Sequence, residues 1–345
     1  MVNFKKYSSI ENVITRDFME RVKTEISDDL EWVVQEKVHG ANTSFLCDGE
    51  TVGFAKRTSV LADDEKFYDF QEMLERYHQK VLSLFKRIKE SHPKVISISV
   101  FGEMFGGRYA HEGVTARKGV ILIQKGVYYT PDHEFYGFDI YVFEGETGRY
   151  LDVDEVNTLF EAEGFFYAKT LLRGTLSECL AHPNAFQSKI SQWLGLPDIA
   201  DNICEGVIIR PVIPQYLRNG SRVLIKSKNA RFDEKKSVKT RNKVFSEPIP
   251  QSEELKTLIE EVETYVTENR LNNVLSHIGE VSLPKDFGKI MGLYSKDVLD
   301  DLLKEHGGKY SALDKCEQKS FNKALNKLST DFVRHTLMSQ AYILD

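Results

Sequence analysis

The apolar residues change rhythm near residue 250, and that change constrains the chain more than any other feature. Before it, short β-branched or aromatic runs of strand length alternate with turns: Glu31–Val38, Val95–Phe101, Val120–Gln124, Phe135–Phe143, Gly206–Ile209 and Arg222–Lys226. One longer stretch, Phe70 to Ile88, places Met73, Leu74, Val81, Leu82 and Phe85 at helical spacing and predicts a helix. Strands and helices in irregular order predict an α+β domain built on antiparallel sheets, not a regular βαβ repeat. After residue 250 the spacing is helical throughout. Leu255, Leu258, Ile259, Val262 and Val266 share one face, as do Phe321, Ala324, Leu325, Leu328 and Phe332. Between them, Ser295 is expected to cap a helix running to Glu305 or His306, with Gly307-Gly308 ending it. The expected division is a mixed domain over residues 1–243 and a small all-α domain over 250–345.

A chain of 345 residues with 41% hydrophobic residues can bury two such cores. Its net charge of −6 argues against a tail-driven nucleic-acid binder but leaves room for one basic groove. From Arg222 to Lys243, nine Lys and Arg stand against two acids, a local +7 running up to Glu247-Pro-Ile-Pro250. A solvated linker is the ordinary explanation of such a run, but its place beside the lysine motif described next favours a functional, positively charged neck between the two domains. No stretch approaches the roughly 18 uninterrupted apolar residues of a membrane span. The first residues carry lysines but no apolar signal core, and Cys47, Cys179, Cys204 and Cys316 lie far apart without metal-site spacing. These features predict a cytoplasmic protein without disulfides, or a viral protein in its host's cytoplasm.

One constellation carries chemistry. Glu36-Lys-Val-His-Gly-Ala-Asn42 places Lys37 where an apolar strand gives way to a glycine turn. A lysine ending a strand is ordinarily only solvent-facing. A nucleophilic one needs a partly desolvated pocket and neighbouring cations, because it attacks only as the neutral amine. Lys226 and Lys228, two residues apart, share one face of a strand and supply such cations; Arg57 adds a guanidinium suited to phosphate. Three carboxylates, Glu103, Asp139 and Glu205, each sit beside an apolar run rather than in a polar loop. Handling a nucleoside triphosphate calls for these types together: acids for divalent metal and ribose hydroxyls, lysines for phosphates, an aromatic face for the base. Neither a Gly-x-x-x-x-Gly-Lys-Ser/Thr phosphate loop nor a Gly-x-Gly-x-x-Gly fingerprint is present, so the common nucleotide folds are not supported.

Lys37-Val-His-Gly with Asn42, Phe101-Gly-Glu103, Phe138-Asp139, Glu205-Gly206 and Lys226-Ser-Lys228 come in an order that resembles the covalent nucleotidyltransferases, the superfamily of polynucleotide ligases and mRNA capping enzymes. The finer resemblance is to the bacteriophage-type RNA ligase 2 family, with its kin the kinetoplastid RNA-editing ligases. His39, Gly40 and Asn42 are similar to that family, where most DNA ligases and capping enzymes have Lys-x-Asp-Gly. The starting segment Phe4 to Asn12 and the segments 269–274 and 284–293 extend the resemblance across almost the whole chain. Ala41 departs from it, since phage relatives often carry a hydroxyl there.

The resemblance implies a nucleotidyltransferase domain with ATP-grasp-like antiparallel sheets, and an ATP-dependent ligase acting in three steps. Lys37 takes AMP from ATP, AMP passes to an RNA 5′-phosphate, and a 3′-hydroxyl displaces it, most naturally at a nick in duplex RNA. It implies that Phe138 stacks on adenine with Ile208 opposite, and that Glu36 and His39 line the nucleotide side of Lys37. Asn42 and Arg57 would hold phosphate and strand ends, Glu103 ribose hydroxyls, and Lys226 and Lys228 the α-phosphate. It further implies Mg2+, or Mn2+, at Glu205 and Asp139, and RNA contacts at Phe67, Tyr68, Arg270 and Asp297. The expected partner is RNA, bound by a monomer away from any membrane. Two alternatives stand beside this reading: an mRNA guanylyltransferase or DNA ligase of the same superfamily, and a catalytically silent RNA clamp. The helical character after residue 250 counts against the former, which normally append a β-rich module. Intact Lys37, Glu205, Lys226 and Lys228 count against the latter.

Overall fold

The computed structural model describes residues 3–232, 252–283 and 285–341. Contacts divide the chain between Arg231 and Phe232. The expected boundary at 243–250 and the second half of the +7 segment, from residue 233 on, lie outside the described residues.

In the first unit, chain order runs β1 (Glu11–Asn12), α1 (Arg16–Glu25), β2 (Trp32–Lys37), β3 (Ala41–Cys47), β4 (Val52–Lys56), β5 (Ser59–Val60), α2 (Phe70–Ser91), β6 (Ser97–Arg108) and β7 (Thr130–Glu144). It continues with β8 (Thr147–Tyr150), α3 (Val153–Ala162), β9 (Thr170–Gly174), α4 (Leu176–Leu180), α5 (Ile190–Trp193), β10 (Gly206–Pro211) and β11 (Ile225–Lys228). These strands make two sheets, in the orders β1-β11-β10-β2-β9 and β5-β4-β3-β6-β7-β8. Every pairing is antiparallel except β1 with β11. The expected α+β class is what is seen.

Each sheet buries one face on helices. In the first, Trp32, Val34, Val207, Ile209 and Ile225 pack with Phe18, Met19 and Val22 of α1. In the second, Ala41, Phe45, Val100, Met104, Phe135 and Ile140 pack with Met73, Tyr77, Val81 and Leu84 of α2. Strand side chains alternate, so the residues between these positions turn to the opposite faces. Those faces are bound to each other across the sheets: Tyr136 Oη of β7 donates to the Glu36 carbonyl of β2 at 3.2 Å.

One expected strand is not formed. Val120–Gln124 joins no ladder, because its polar groups bond singly elsewhere: Ile123 N–H donates to the Gly106 carbonyl, and the Ile121 carbonyl faces His133 Nε2 at 2.6 Å.

The second unit holds α6 (Glu253–Tyr265), α7 (Glu268–Ile278), α8 (Phe287–Ala312) and α9 (Lys315–Ala341) around a core that includes Leu258, Val262, Leu271, Ile290, Tyr294, Val298 and Phe321. Ser252 and Thr267 cap α6 and α7 through their hydroxyls. The helix expected to start at Ser295 and stop at Gly307 is instead the middle of α8. The glycine pair does not end it; the chain kinks at His306 (φ −126°, ψ 18°) and continues.

Candidate active site

Strand register alone assembles the site. Gly206 pairs with Lys37 and Lys228, and Ile208 pairs with Gln35 and Lys226. Cross-strand partners share a face, so Lys37, Ile208, Lys226 and Lys228 all stand on the face turned away from α1. In the other sheet Asn42 pairs with Glu103, and Glu103 with Tyr136, on the face turned away from α2.

Glu205, one residue before β10, lies at the centre. Lys37 Nζ donates to its Oε2 at 2.6 Å, Lys228 Nζ lies 3.1 Å from its Oε1, and His39 Nδ1 lies 3.7 Å from Oε2. The carboxylate is 1% exposed. Burial would push its pKa up, but Lys37, Lys228 and His39 together pull it down to about 2. Glu103 goes the other way. Burial, helped by the Glu205 charge, raises it to about 7 against the pull of Lys37 and Arg57. Two carboxyls in one site thus differ by roughly five units, an acid kept ionised beside one that titrates near neutrality.

Two glycines make this geometry. A Cβ on Gly206, whose φ is +153°, would lie 2.1 Å from the Ser227 carbonyl oxygen, and one on Gly40 would lie 2.3 Å from that of Met104. Both are places where one backbone must approach another. Two tyrosines that sequence reading missed fix the nucleophile's strand on either side. Tyr136 Oη donates to the Glu36 carbonyl, and His39 N–H donates to Tyr129 Oη at 3.0 Å. Their signal in the sequence is slight, since nothing marks which tyrosines of a strand-rich chain face inward.

Glu36 is buried. Its side chain accepts from Ser188 Oγ at 2.6 Å and from the Lys189 N–H at 2.9 Å, and burial raises its pKa to about 7. It latches the 188–189 segment to β2. Asn42 and His39 are also buried, while Arg57, Phe138 and Ile208 are partly exposed.

Five expected positions need correction. Asp139, expected at a metal, is wholly buried with both oxygens taken: Arg210 Nη2 on Oδ1 at 3.1 Å, and Arg222 Nη1 and Tyr7 Oη on Oδ2 at 2.6 and 2.8 Å. Burial opposes its charge, but the two guanidiniums and the hydroxyl hold it below the ordinary carboxylate value. No oxygen is left to face a metal. Phe67 and Tyr68, expected at RNA, have their rings in the α2 core, 1% and 9% exposed. Arg270, also expected at RNA, is 1% exposed inside the helical unit, donating to the Tyr265 carbonyl and to the Asp297 and Asp301 carboxylates. Asp297 is therefore its ion-pair partner, mid-way along α8 rather than in a first turn.

A lysine held on a buried carboxylate, with a second lysine on the same acid and a further acid on the other sheet, makes a lysine-centred site of the class that the chemistry of nucleotidyl transfer calls for. The RNA ligase family model matches residues 30–228, and the model for the T4 RNA ligase 2 C-terminal region matches residues 250–331. The chain belongs to the RNA ligase family, as an ATP-dependent enzyme of the type that includes RNA ligase 2 and the editing ligases. Among its relatives, RNA-editing ligase 2 (mitochondrial) of Trypanosoma brucei brucei is 28% identical over 353 residues, covering 88% of this chain and 83% of that protein. RNA-editing ligase 1 (mitochondrial) of Trypanosoma brucei brucei is 29% identical over 331 residues, covering 80% of this chain and 70% of that protein. A Naegleria gruberi RNA ligase variant, in a structure with ATP and Mn, aligns at a TM-score of 0.44 and 13% identity, over 67% of this chain and 59% of that one. The chain thus spans less than two thirds of the length of that ligase.

Proposed function

We propose that this ligase joins 3′-hydroxyl and 5′-phosphate RNA ends at nicks in duplex RNA, through a lysyl-AMP intermediate and an adenylated RNA end. The observation that carries the reading is the pairing of Lys37 and Lys228 with the one carboxylate of Glu205, opposite Glu103 of the other sheet. In the first step the Lys37 amine attacks the α-phosphorus of ATP, pyrophosphate leaves, and a phosphoramidate to AMP remains. Lys228 and Lys226, on the same face of β11, meet the charge that builds on the α-phosphoryl oxygens. In the second step an RNA 5′-phosphate oxygen displaces the lysine, which recovers its proton and its place beside Glu205. In the third, the 3′-hydroxyl of the adjoining strand attacks the activated phosphate and AMP leaves. Phe138 and Ile208 would hold adenine, Glu103 the ribose hydroxyls, and Asn42 and Arg57 phosphate and strand ends.

The donor set bears on the metal. Among the described residues no group of three or more His, Cys, Asp or Glu could enclose an ion. A buried carboxylate facing the phosphate-binding lysines fits a cation that keeps water and takes substrate phosphates as its other ligands, the habit of Mg2+. Glu205 would hold it through Oε2 once Lys37, engaged with the nucleotide, no longer donates there, whereas the two guanidiniums on Asp139 have no such reason to leave. Action as a monomer is part of this proposal. All four cysteines are free, which favours a reducing compartment, the cytoplasm in this proposal. No described helix is long and apolar enough to cross a membrane.

The test is to incubate the protein with labelled ATP or GTP and Mg2+, denature it and separate it by electrophoresis. Covalent label from ATP alone, with sealing of nicked duplex RNA in preference to single strands, is expected. Label from GTP would point to a guanylyltransferase, and no label at all to a silent clamp.

A further inference from the structure

Phe138 is an extra residue in its ladder. Along β6 and β7, Phe101 pairs with Asp139 and the next residue, Gly102, pairs with Gly137, so Phe138 has no opposite number. A bulge of this kind re-aims a side chain and needs something to hold it, because its backbone groups leave the ladder. Here the holder is identifiable. Arg210 Nη1 donates to the Phe138 carbonyl at 3.0 Å, and Nη2 of the same guanidinium donates to Asp139 Oδ1 at 3.1 Å. One planar fork thus clamps the bulged residue and its neighbour together from β10 of the other sheet. Arg222 Nη1 and Tyr7 Oη hold the second Asp139 oxygen, and the Tyr7 ring meets the Phe138 ring edge-on at a centroid distance of 5.0 Å. The Arg222 guanidinium is itself seated on the Tyr150 ring, 3.5 Å from its centroid. Arg210 and Asp139 are 2% and 0% exposed, so the clamp is dry.

We propose that Arg210 and Asp139, steadied by Arg222 and Tyr7, are positioning residues that fix the Phe138 bulge and thereby set the ring on which the nucleotide base rests. The proposal rests on the reading above that Phe138 meets the base. A general structural role for the cluster would lower stability and all activities alike. A positioning role shows itself in ATP affinity and in coupling to Phe138.

The experiment measures lysyl-AMP formation by the full chain at varied ATP, giving KM and the rate at saturation. The variants are Phe138→Leu, Arg210→Lys, their double, and Tyr7→Phe, with melting curves to show folding. Arg210→Lys keeps a cation for Asp139 but loses the fork. An aromatic face commonly carries a sizeable share of the affinity for a base, so Phe138→Leu should raise KM on the order of tenfold. Arg210→Lys should raise it comparably with the saturated rate within about twofold, and the double should be no worse than the worse single, as coupled residues behave. Tyr7→Phe keeps its ring against Phe138 and should raise KM by a few-fold; it carries the test if Arg210→Lys does not fold. If Phe138→Leu leaves KM unchanged, the base-stacking reading falls and the proposal with it. If Phe138→Leu raises KM while folded Arg210→Lys and Tyr7→Phe do not, or if the two effects multiply in the double, the proposal alone falls.

Discussion

The Glu205 carboxylate accepts from Lys37 on one oxygen and faces Lys228 on the other, so a change at either lysine alters the charge felt by its twin. Lys37→Ala should abolish covalent AMP labelling yet leave measurable sealing of RNA supplied with an adenylated 5′ end, since that end already carries what Lys37 would have provided. Equal loss of both activities would return Lys37 to a structural role. Lys228→Ala should slow labelling on the order of 10²-fold, as loss of a charge partner in a transition state does; labelling at the unaltered rate would remove Lys228 from the chemistry. Acid and base act on the fold in opposite directions here. Glu36 and Glu103 have folded pKa values of about 7, above the ordinary 4.5, so the stability they contribute is complete below about 4.5 and lost as pH rises through 7. Glu205, at about 2, contributes stability above 4.5 that is lost as pH falls through 2. Urea midpoints should therefore decline from pH 5 to 8. In Glu36→Gln the decline should be shallower, because the amide can accept from Lys189 N–H and donate to Ser188 Oγ without titrating. An equally steep decline in that variant would remove Glu36 as a source of it.

At the scale of elements, Gly206→Ala should cost about 3 kcal/mol or more, because its methyl meets the backbone of β11 rather than a side chain that can turn aside. The measurement is a denaturant melt, and a loss under 1 kcal/mol would mean that β11 yields easily. The elements legible in the sequence were those with a dominant apolar rhythm. The readings over Glu31–Val38, Phe70–Ile88, Phe135–Phe143 and Gly206–Ile209 correspond to β2, α2, β7 and β10 within a few residues, or extended at one or both ends in β7 and α2. β3 escaped notice because Asn42, Thr43 and Ser44 look like loop, although all are buried between neighbouring strands. α1 escaped because its few apolar residues are diluted by charge, and only Phe18, Met19 and Val22 face inward. The long α8 was misdivided because a glycine pair looks like a stop, whereas packing of Ile290, Tyr294, Val298 and Leu302 carries the helix as far as the kink at His306. For the site, spacing pointed to Lys37, Lys226 and Lys228 and to Glu205, but not to which acid was already committed. Asp139 and Glu205 look alike in sequence; the two arginines that take Asp139 come from 71 and 83 residues further on.

On the scale of the whole molecule, the groups proposed for nucleotide chemistry all precede Asn229, and the helical unit has its own core. A fragment of residues 1–249 is therefore expected to label itself with AMP within a few-fold of the full chain but to fail at sealing nicked duplex RNA, with weaker and less salt-dependent RNA binding. Sealing by the fragment at the full chain's rate would give the helices some other purpose. The two glycines have a consequence for how descendants of such a chain should be judged. Gly206 and Gly40 are held by the crowding of one backbone on another, whatever chemistry the cleft performs. A lineage that ceased to join RNA would release Lys37, Glu205 and Lys228 to drift, yet would still need both glycines in order to fold. Finding the glycines in a distant cousin thus certifies its architecture alone, and its trade must be read from the charged side chains that stand beside them.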